Sequence, residues 1–100
     1  MPMDIEFSSR WFKENIEPLL THYKCTYRFY ANGDFGSLDQ VAFDSERISG
    51  EIDYWSSGRV SINLWDYEKE EMVLNLLVLE DEDVSNKING LIKLKALLGI

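Results

Sequence analysis

Two acidic and two aromatic side chains near the middle of the sequence have the types and spacing that a functional site would need. Glu51 and Asp53 are two residues apart in the stretch GEIDYW, and Trp55 and Trp65 follow them. On a β-strand, residues at this spacing point to the same face and lie roughly 7 Å apart. Because glycosidase carboxyl pairs lie at about 5–9 Å, a carboxylate-dependent hydrolase is one hypothesis for this stretch.

Two non-enzymatic hypotheses fit the same residues better. A chain of 100 residues has little room for the deep cleft that a hydrolase needs. Tryptophans beside acids suit the stacking of a sugar or another small ligand, with Trp55 and Trp65 as the platforms. Tryptophans flanked by acids are also typical of the centre of an interface with a basic protein. The alternative without a functional role is that both tryptophans pack beneath a helix.

Other catalytic and metal-binding patterns are missing from the sequence. His22 is the only histidine and Cys25 the only cysteine, whereas a zinc site needs three or four ligands in which these residue types dominate. The acidic run Glu80–Asp83 lacks the spacing of a calcium-binding EF-hand loop. No phosphate-binding loop or nucleophile elbow occurs. We therefore predict a protein that is not an enzyme and that has no metal or cofactor.

The negative charge is concentrated in the middle third of the chain. The whole protein carries a net charge of −8, and residues 51–83 alone carry ten acidic and two basic side chains. Such a field repels the phosphates of nucleic acids, so we expect no nucleic-acid binding. It attracts cationic partners and speeds the encounter with them, although a negative surface also serves solubility alone.

The bulk properties predict a single domain, residues 1–100, in the cytoplasm. One cysteine allows no internal disulfide, which suits a reducing compartment. The N-terminal stretch has neither the basic region nor the apolar region of a signal peptide. The longest apolar run, Leu76–Leu79, is far too short to span a bilayer, so we expect no membrane association.

Hydrophobic spacing predicts a helix at each end of the chain, with strands between them. A helical period runs from about residue 8 to 17, where Pro18 should kink or end the helix. Alternation predicts strands near residues 23–31 and 38–43. The apolar run 72–79 predicts a central strand covered on both faces, and a helix that Gly99 can close follows the acids of 80–83. The expected fold is α+β, a mostly antiparallel sheet of about five strands with an N-terminal and a C-terminal helix.

Residues 47–55 and 59–67 are predicted to form a hairpin, and its register follows from the alternation. A three-residue loop, Ser56-Ser57-Gly58, pairs Tyr54 with Val60 and keeps apolar residues opposite one another along both strands. A slip of one residue would turn every side chain to the other face. Gly58 then lies where such a loop needs a left-handed residue. The opposite face of this hairpin carries Glu51, Asp53, Trp55, Ser61, Asn63, Trp65 and Tyr67.

The middle of the chain, roughly residues 35–80, resembles small bacterial immunity proteins, the cognate inhibitors of polymorphic or contact-dependent toxins. The resemblance rests on four stretches: Phe35-Gly36-Ser-Leu38, Gly50-Glu-Ile-Asp-Tyr-Trp55-Ser-Ser-Gly58, Asp66-Tyr67 and Leu74-Asn75-Leu76-Leu77. It implies a short, acidic, cytosolic protein that binds a toxin domain tightly, often a basic nuclease. Proteins of this type share no catalytic residues, so no site residue is carried over from the resemblance.

The main hypothesis is therefore an acidic, non-enzymatic binding protein, an immunity protein that neutralises a cognate basic toxin. The residues expected at the partner surface are Glu51, Asp53, Trp55, Trp65, Asp66 and Glu68. The alternative is a small-ligand or carbohydrate-binding module that uses Trp55 and Trp65 as stacking platforms. A structural or regulatory interaction domain is also open, and the apolar C-terminal helix is compatible with a monomer or a homodimer.

Overall fold

The computed structural model describes residues 7–33 and 35–100, which form an α-helix, a short 3-10 helix, five strands and a second α-helix in that order. The elements are α1 (Ser9–Asn15), a 3-10 helix (Glu17–Leu19), β1 (Lys24–Tyr30), β2 (Leu38–Asp44), β3 (Ile48–Trp55), β4 (Val60–Asp66), β5 (Glu71–Val78) and α2 (Val84–Leu98). Pro18 lies inside the 3-10 helix, so α1 ends before it as predicted. In the part of the chain that is described, no helix is long and apolar enough to cross a membrane.

The five strands form a single sheet in the order β1-β2-β3-β4-β5, and each strand is antiparallel to the next. This arrangement is a meander, since every strand pairs with its neighbours in the sequence. The predicted α+β fold with a five-stranded antiparallel sheet and two terminal helices is confirmed.

The register predicted for the central hairpin is also confirmed. Tyr54 lies opposite Val60 and Ile52 lies opposite Ile62. Gly58 has a φ of 103°, a conformation that a side chain would strain. The three-residue loop thus puts the apolar residues of both strands on one face and the acids of β3 on the other.

Both helices pack on the same face of the sheet and build the core there. The ring of Phe12 in α1 stacks on that of Phe43 in β2, with 5.6 Å between the ring centroids. Leu91 and Leu94 of α2 are buried in the same cluster. α2 approaches β4 and β5 closely at Gly90, where an added Cβ would lie 3.2 Å from a methyl group of Leu76.

Capping residues define the ends of the two helices. Ser8 Oγ accepts a hydrogen bond from the N–H of Trp11 at 3.2 Å, which caps α1. Asp83 caps α2 in the same way by accepting from the N–H of Ser85 at 2.9 Å. Gly99, with a φ of 75°, closes α2 in the left-handed conformation.

Two expectations about the sheet are corrected. The prediction of a central strand at 72–79 is wrong, because β5 is the last strand of the meander and lies at an edge. Its Leu77 is 54% exposed and its Met72 is 48% exposed. The alternative that the tryptophans pack beneath the C-terminal helix is also wrong, since α2 covers the opposite face of the sheet. Both faces of β5 carry apolar side chains, although only one of these faces lies under α2.

Candidate functional site

The face of the sheet that neither helix covers in the described residues is the candidate functional site, and we call it the open face. Its centre is Glu51 on β3, which lies between Ala42 of β2 and Asn63 of β4. Asp53, two residues further along β3, lies between Gln40 and Ser61. The alternation that buries Gly50, Ile52 and Tyr54 under the helices therefore turns the two acids to the open side.

Glu51 and Asp53 form a carboxyl pair at the middle of this face. Burial within the sheet surface raises the pKa of Glu51, and the negative charge of Asp53 and a hydrogen bond with it raise this pKa further. Arg28 partly offsets these effects. Asp53 itself is only 9% exposed and accepts a hydrogen bond from Gln40 Nε2 at 3.0 Å. The raised pKa of Glu51 shows that Arg28 does not fully compensate the pair, and a further positive charge docked there would stabilise it.

A shallow depression of about 370 Å³ lies beside this pair. Its acidic and amide groups are contributed by Asp44, Glu51 and Asn63, and its apolar wall by Trp65, Tyr67 and Met72. The three wall residues are between 37% and 50% exposed. Carboxylates next to aromatic rings are a favourable environment for a lysine or arginine side chain, which gains both charge pairing and cation–π attraction.

The two tryptophans lie at opposite ends of the open face. Trp65 is opposite Ser49, whereas Trp55 ends β3 opposite Leu38. Six residues of strand separate these positions, a distance of about 20 Å. The structure therefore does not bring Trp55 and Trp65 together into one stacking platform for a sugar ring.

The Trp55 end of the face is closed by contacts between three loops. The ring of Phe35 meets that of Trp55 edge-on, with 6.2 Å between the ring centroids. The guanidinium of Arg59 lies 3.6 Å above the centroid of the Phe35 ring and forms an ion pair with Glu80 at 2.9 Å. These side chains already contact one another, so the side chains available to a partner lie at the Trp65 end.

Two of the six residues expected at the partner surface lie elsewhere. Asp66 is only 4% exposed, and its Oδ1 accepts hydrogen bonds from the N–H groups of Glu68 and Lys69 at 2.9 and 3.1 Å. Its carboxylate thus organises the turn between β4 and β5. Glu68 is exposed in that turn and pairs with Arg47 at 3.4 Å. The open face brings together Glu51, Asp53, Trp55 and Trp65.

Sequence reasoning missed Asp44 and Met72 as part of this site. Asp44 lies one residue past the strand predicted near 38–43, but it is the last residue of β2 and lines the depression. Met72 reaches the depression because the pairing of β4 with β5 shifts between Leu64 and Trp65, which sets Trp65 opposite Met72. Asp44 could have been predicted, because it is two residues from Ala42 and therefore points to the same face of β2. No feature of the sequence predicts the shift in the pairing of β5.

The described residues offer no support for metal binding or thiol catalysis. They contain no group of three or more histidine, cysteine or acidic residues that would hold a metal ion. Burial raises the pKa of the Cys25 thiol to about 11, and the charge and hydrogen bonding of Glu17 add to this effect. A thiol with such a pKa is almost entirely protonated near neutrality and is a poor nucleophile.

No protein-family model, no curated protein and no solved structure matches this chain. The class that the fold itself defines is an α+β protein with a five-stranded antiparallel meander covered by helices on one face.

Proposed function

We propose that this chain is an acidic, non-enzymatic binding protein, an immunity protein of the cytoplasm that neutralises a cognate basic toxin domain by docking it on the open face. The observation that carries this proposal is the carboxyl pair of Glu51 and Asp53, which lies beside the Trp65 depression on the face that the helices leave uncovered. The resemblance to immunity proteins and the net charge of −8 support it.

The chemistry of the pair suits a cationic side chain of the partner. The pKa of Glu51 is raised because its charge is partly desolvated and repelled by Asp53. A lysine or arginine in the depression would remove this repulsion and form charge-assisted hydrogen bonds. Trp65 would contribute the aromatic contact that is frequent at the energetic centre of interfaces.

A capture experiment with matched variants tests the proposal. Immobilised protein is incubated with lysate of the source cells at low and at high salt, and retained proteins are identified by mass spectrometry. We expect one basic protein to be retained at low salt and weakened at high salt, since electrostatic docking is screened. Glu51→Gln should weaken capture, whereas Glu14→Gln on α1 removes the same charge from the helix-covered side and should not.

The outcome that contradicts the proposal is capture that is indifferent both to salt and to Glu51→Gln. Capture weakened equally by Glu51→Gln and Glu14→Gln would assign the effect to net charge rather than to the open face. In either case the docking surface would have to be sought elsewhere on the molecule.

A small-ligand or carbohydrate-binding module is the second candidate, and the depression beside Trp65 favours it. Trp65, Tyr67 and Asn63 together provide an aromatic surface and an amide at one place. Trp55 is too far away to take part in the same ring-sized site. A glycan array followed by fluorescence titration of the wild type and of Trp65→Phe separates this candidate from the first, since no toxin partner is needed for the signal.

A further inference from the structure

The outer edge of β5 is a second surface of the molecule that offers backbone hydrogen-bonding groups to a partner. β5 runs from Glu71 to Val78, and within residues 7–33 and 35–100 no strand pairs with its outer side. Alternate residues of such a strand therefore direct their N–H and C=O groups away from the sheet. A row of this kind is a template for the addition of another strand.

Apart from the shift in its pairing with β4 between Leu64 and Trp65, β5 lacks the features by which proteins usually protect a sheet edge. Such edges carry lysine, proline or inward-pointing charges, whereas Asn75 is the one polar residue between Glu71 and Val78. The opposite edge of the same sheet, β1, carries Lys24 and Arg28. The two edges of this sheet thus differ, and only the β5 edge is apolar along its length.

Unpaired acids lie at both ends of this edge. Glu70 and Glu71 are exposed at its start and Asp81 is exposed just past its end. None of the three forms an ion pair with any cation of the described residues. Nearby Glu80 and Glu82 are engaged, since Glu80 pairs with Arg59 and Glu82 accepts from the N–H of Leu79.

The acids at the two ends of β5 indicate which kind of strand would pair with this apolar edge. A second copy of the chain, added antiparallel and centred between Leu74 and Asn75, would place Glu71 of one copy beside Val78 of the other and leave the acids without a counter-charge. A parallel second copy would place the same acids side by side. Like charges directly opposite one another on paired strands are destabilising, whereas a strand with cationic ends would pair with acids at both ends.

We propose that the β5 edge accepts an extended segment of a cationic protein as a sixth strand, by backbone hydrogen bonding. The segment has alternating apolar residues in its middle and lysine or arginine at both ends. A groove of about 320 Å³ lies between β5 and α2 on the helix side, lined by apolar Leu76 and Val78 and by polar groups that include Glu82 and Asn86.

The inference goes beyond the docking of a partner on the open face and does not depend on it. Glu51, Asp53 and Trp65 act on the face of the sheet, whereas strand addition uses the backbone of β5. A partner of either surface would be basic for the same electrostatic reason. Different variants distinguish the two surfaces, since Glu51→Gln changes the open face and Leu77→Lys changes the β5 edge.

The test uses a fluorescent probe peptide with alternating valine and threonine and with lysines at both ends. Its binding to the full chain is followed by fluorescence anisotropy. A matched peptide is N-methylated at alternate residues on one edge, which removes backbone donors without changing charge or side chains. We expect the N-methylated peptide to bind at least about tenfold more weakly, the equivalent of about 1.4 kcal/mol, and a peptide with glutamates at both ends not to bind.

Protein variants provide the second comparison. Leu77→Lys places a cation on the edge strand and should weaken probe binding, whereas Ile92→Lys adds the same charge on an exposed part of α2 and should not. Equal binding of the two valine–threonine peptides, or no binding of the lysine-ended probe up to about 1 mM, would overturn the proposal. A wild-type dimer in sedimentation equilibrium that Leu77→Lys dissociates would make a second copy the occupant and would likewise overturn it.

Discussion

Glu51 and Asp53 lie two residues apart on β3, on the face of the sheet that neither helix covers, and burial together with the charge of Asp53 raises the pKa of Glu51. The folded chain therefore holds the proton of Glu51 more tightly than the unfolded chain does. Since the unfolded state then binds fewer protons, the free energy of unfolding falls as the pH rises from the usual carboxyl pKa of 4.5 through the raised value.

Replacing Glu51 by Gln should remove this loss of stability. Glu51→Gln is expected to be more stable than the wild type at pH 7, and the difference should vanish below pH ~4, where the wild-type carboxyl is protonated in both states. Urea denaturation at a series of pH values measures it. Glu14→Gln on α1 is the control. A variant that loses stability at pH 7 relative to the wild type would refute the assigned cause.

Asp66 should matter for stability and Glu68 should not. Asp66→Ala leaves the N–H groups of two turn residues without their acceptor, which should cost about 1–2 kcal/mol. Glu68→Ala removes an exposed ion pair with Arg47, and its effect should be within about 0.5 kcal/mol. Denaturant unfolding of both variants gives the comparison, and equal losses would show that the buried carboxylate does not organise the turn.

Gly50 should tolerate no side chain. An added Cβ would lie 2.2 Å from Cε2 of Phe43 and 2.7 Å from Cδ2 of Leu64, inside the tightest part of the core. Gly50→Ala is therefore expected to destabilise the fold by about 1–3 kcal/mol or more. Ser49→Ala, one residue earlier and on the open face, is the matched control. Thermal unfolding of the two variants tests the expectation, which fails if Gly50→Ala unfolds at the wild-type temperature.

The thiol of Cys25 should react slowly until the solution is strongly alkaline. Its pKa is raised to about 11, first by burial and then by the charge of Glu17 and a hydrogen bond with it. The rate of reaction with an aromatic disulfide should keep rising with pH above 9. Glu17→Gln should shift this profile to lower pH by removing the charge. An unchanged profile in Glu17→Gln would leave burial and the charge of Asp44 as the causes.

The register of the central hairpin was predictable because two independent features agree on it. The alternation of Ile52 and Ile62 with polar residues allows only one parity, and Gly58 fits only one loop length. The face that carries Glu51 and Asp53 followed from this register alone. The caps at Ser8 and Asp83 were equally local, since a cap depends on residues within one turn.

The features that could not be predicted depend on contacts distant in the sequence. An apolar strand such as β5 can lie at the centre of a sheet or at its edge, and only the strand order decides. The separation of Trp55 from Trp65 follows from strand pairing, although both residues share a face. Asp66 points to the same face as the buried residues of β4. Its role as a hydrogen-bond acceptor depends on the turn that follows it.

The meander has a consequence for how the chain acquires its structure. Every strand pairs only with strands adjacent to it in the sequence, so each pairing closes a short loop and costs little chain entropy. The sheet can assemble by successive addition of hairpins without waiting for distant segments to meet. We expect refolding to be faster than in sheets whose strands pair across long crossovers. The open face would thus be complete soon after synthesis.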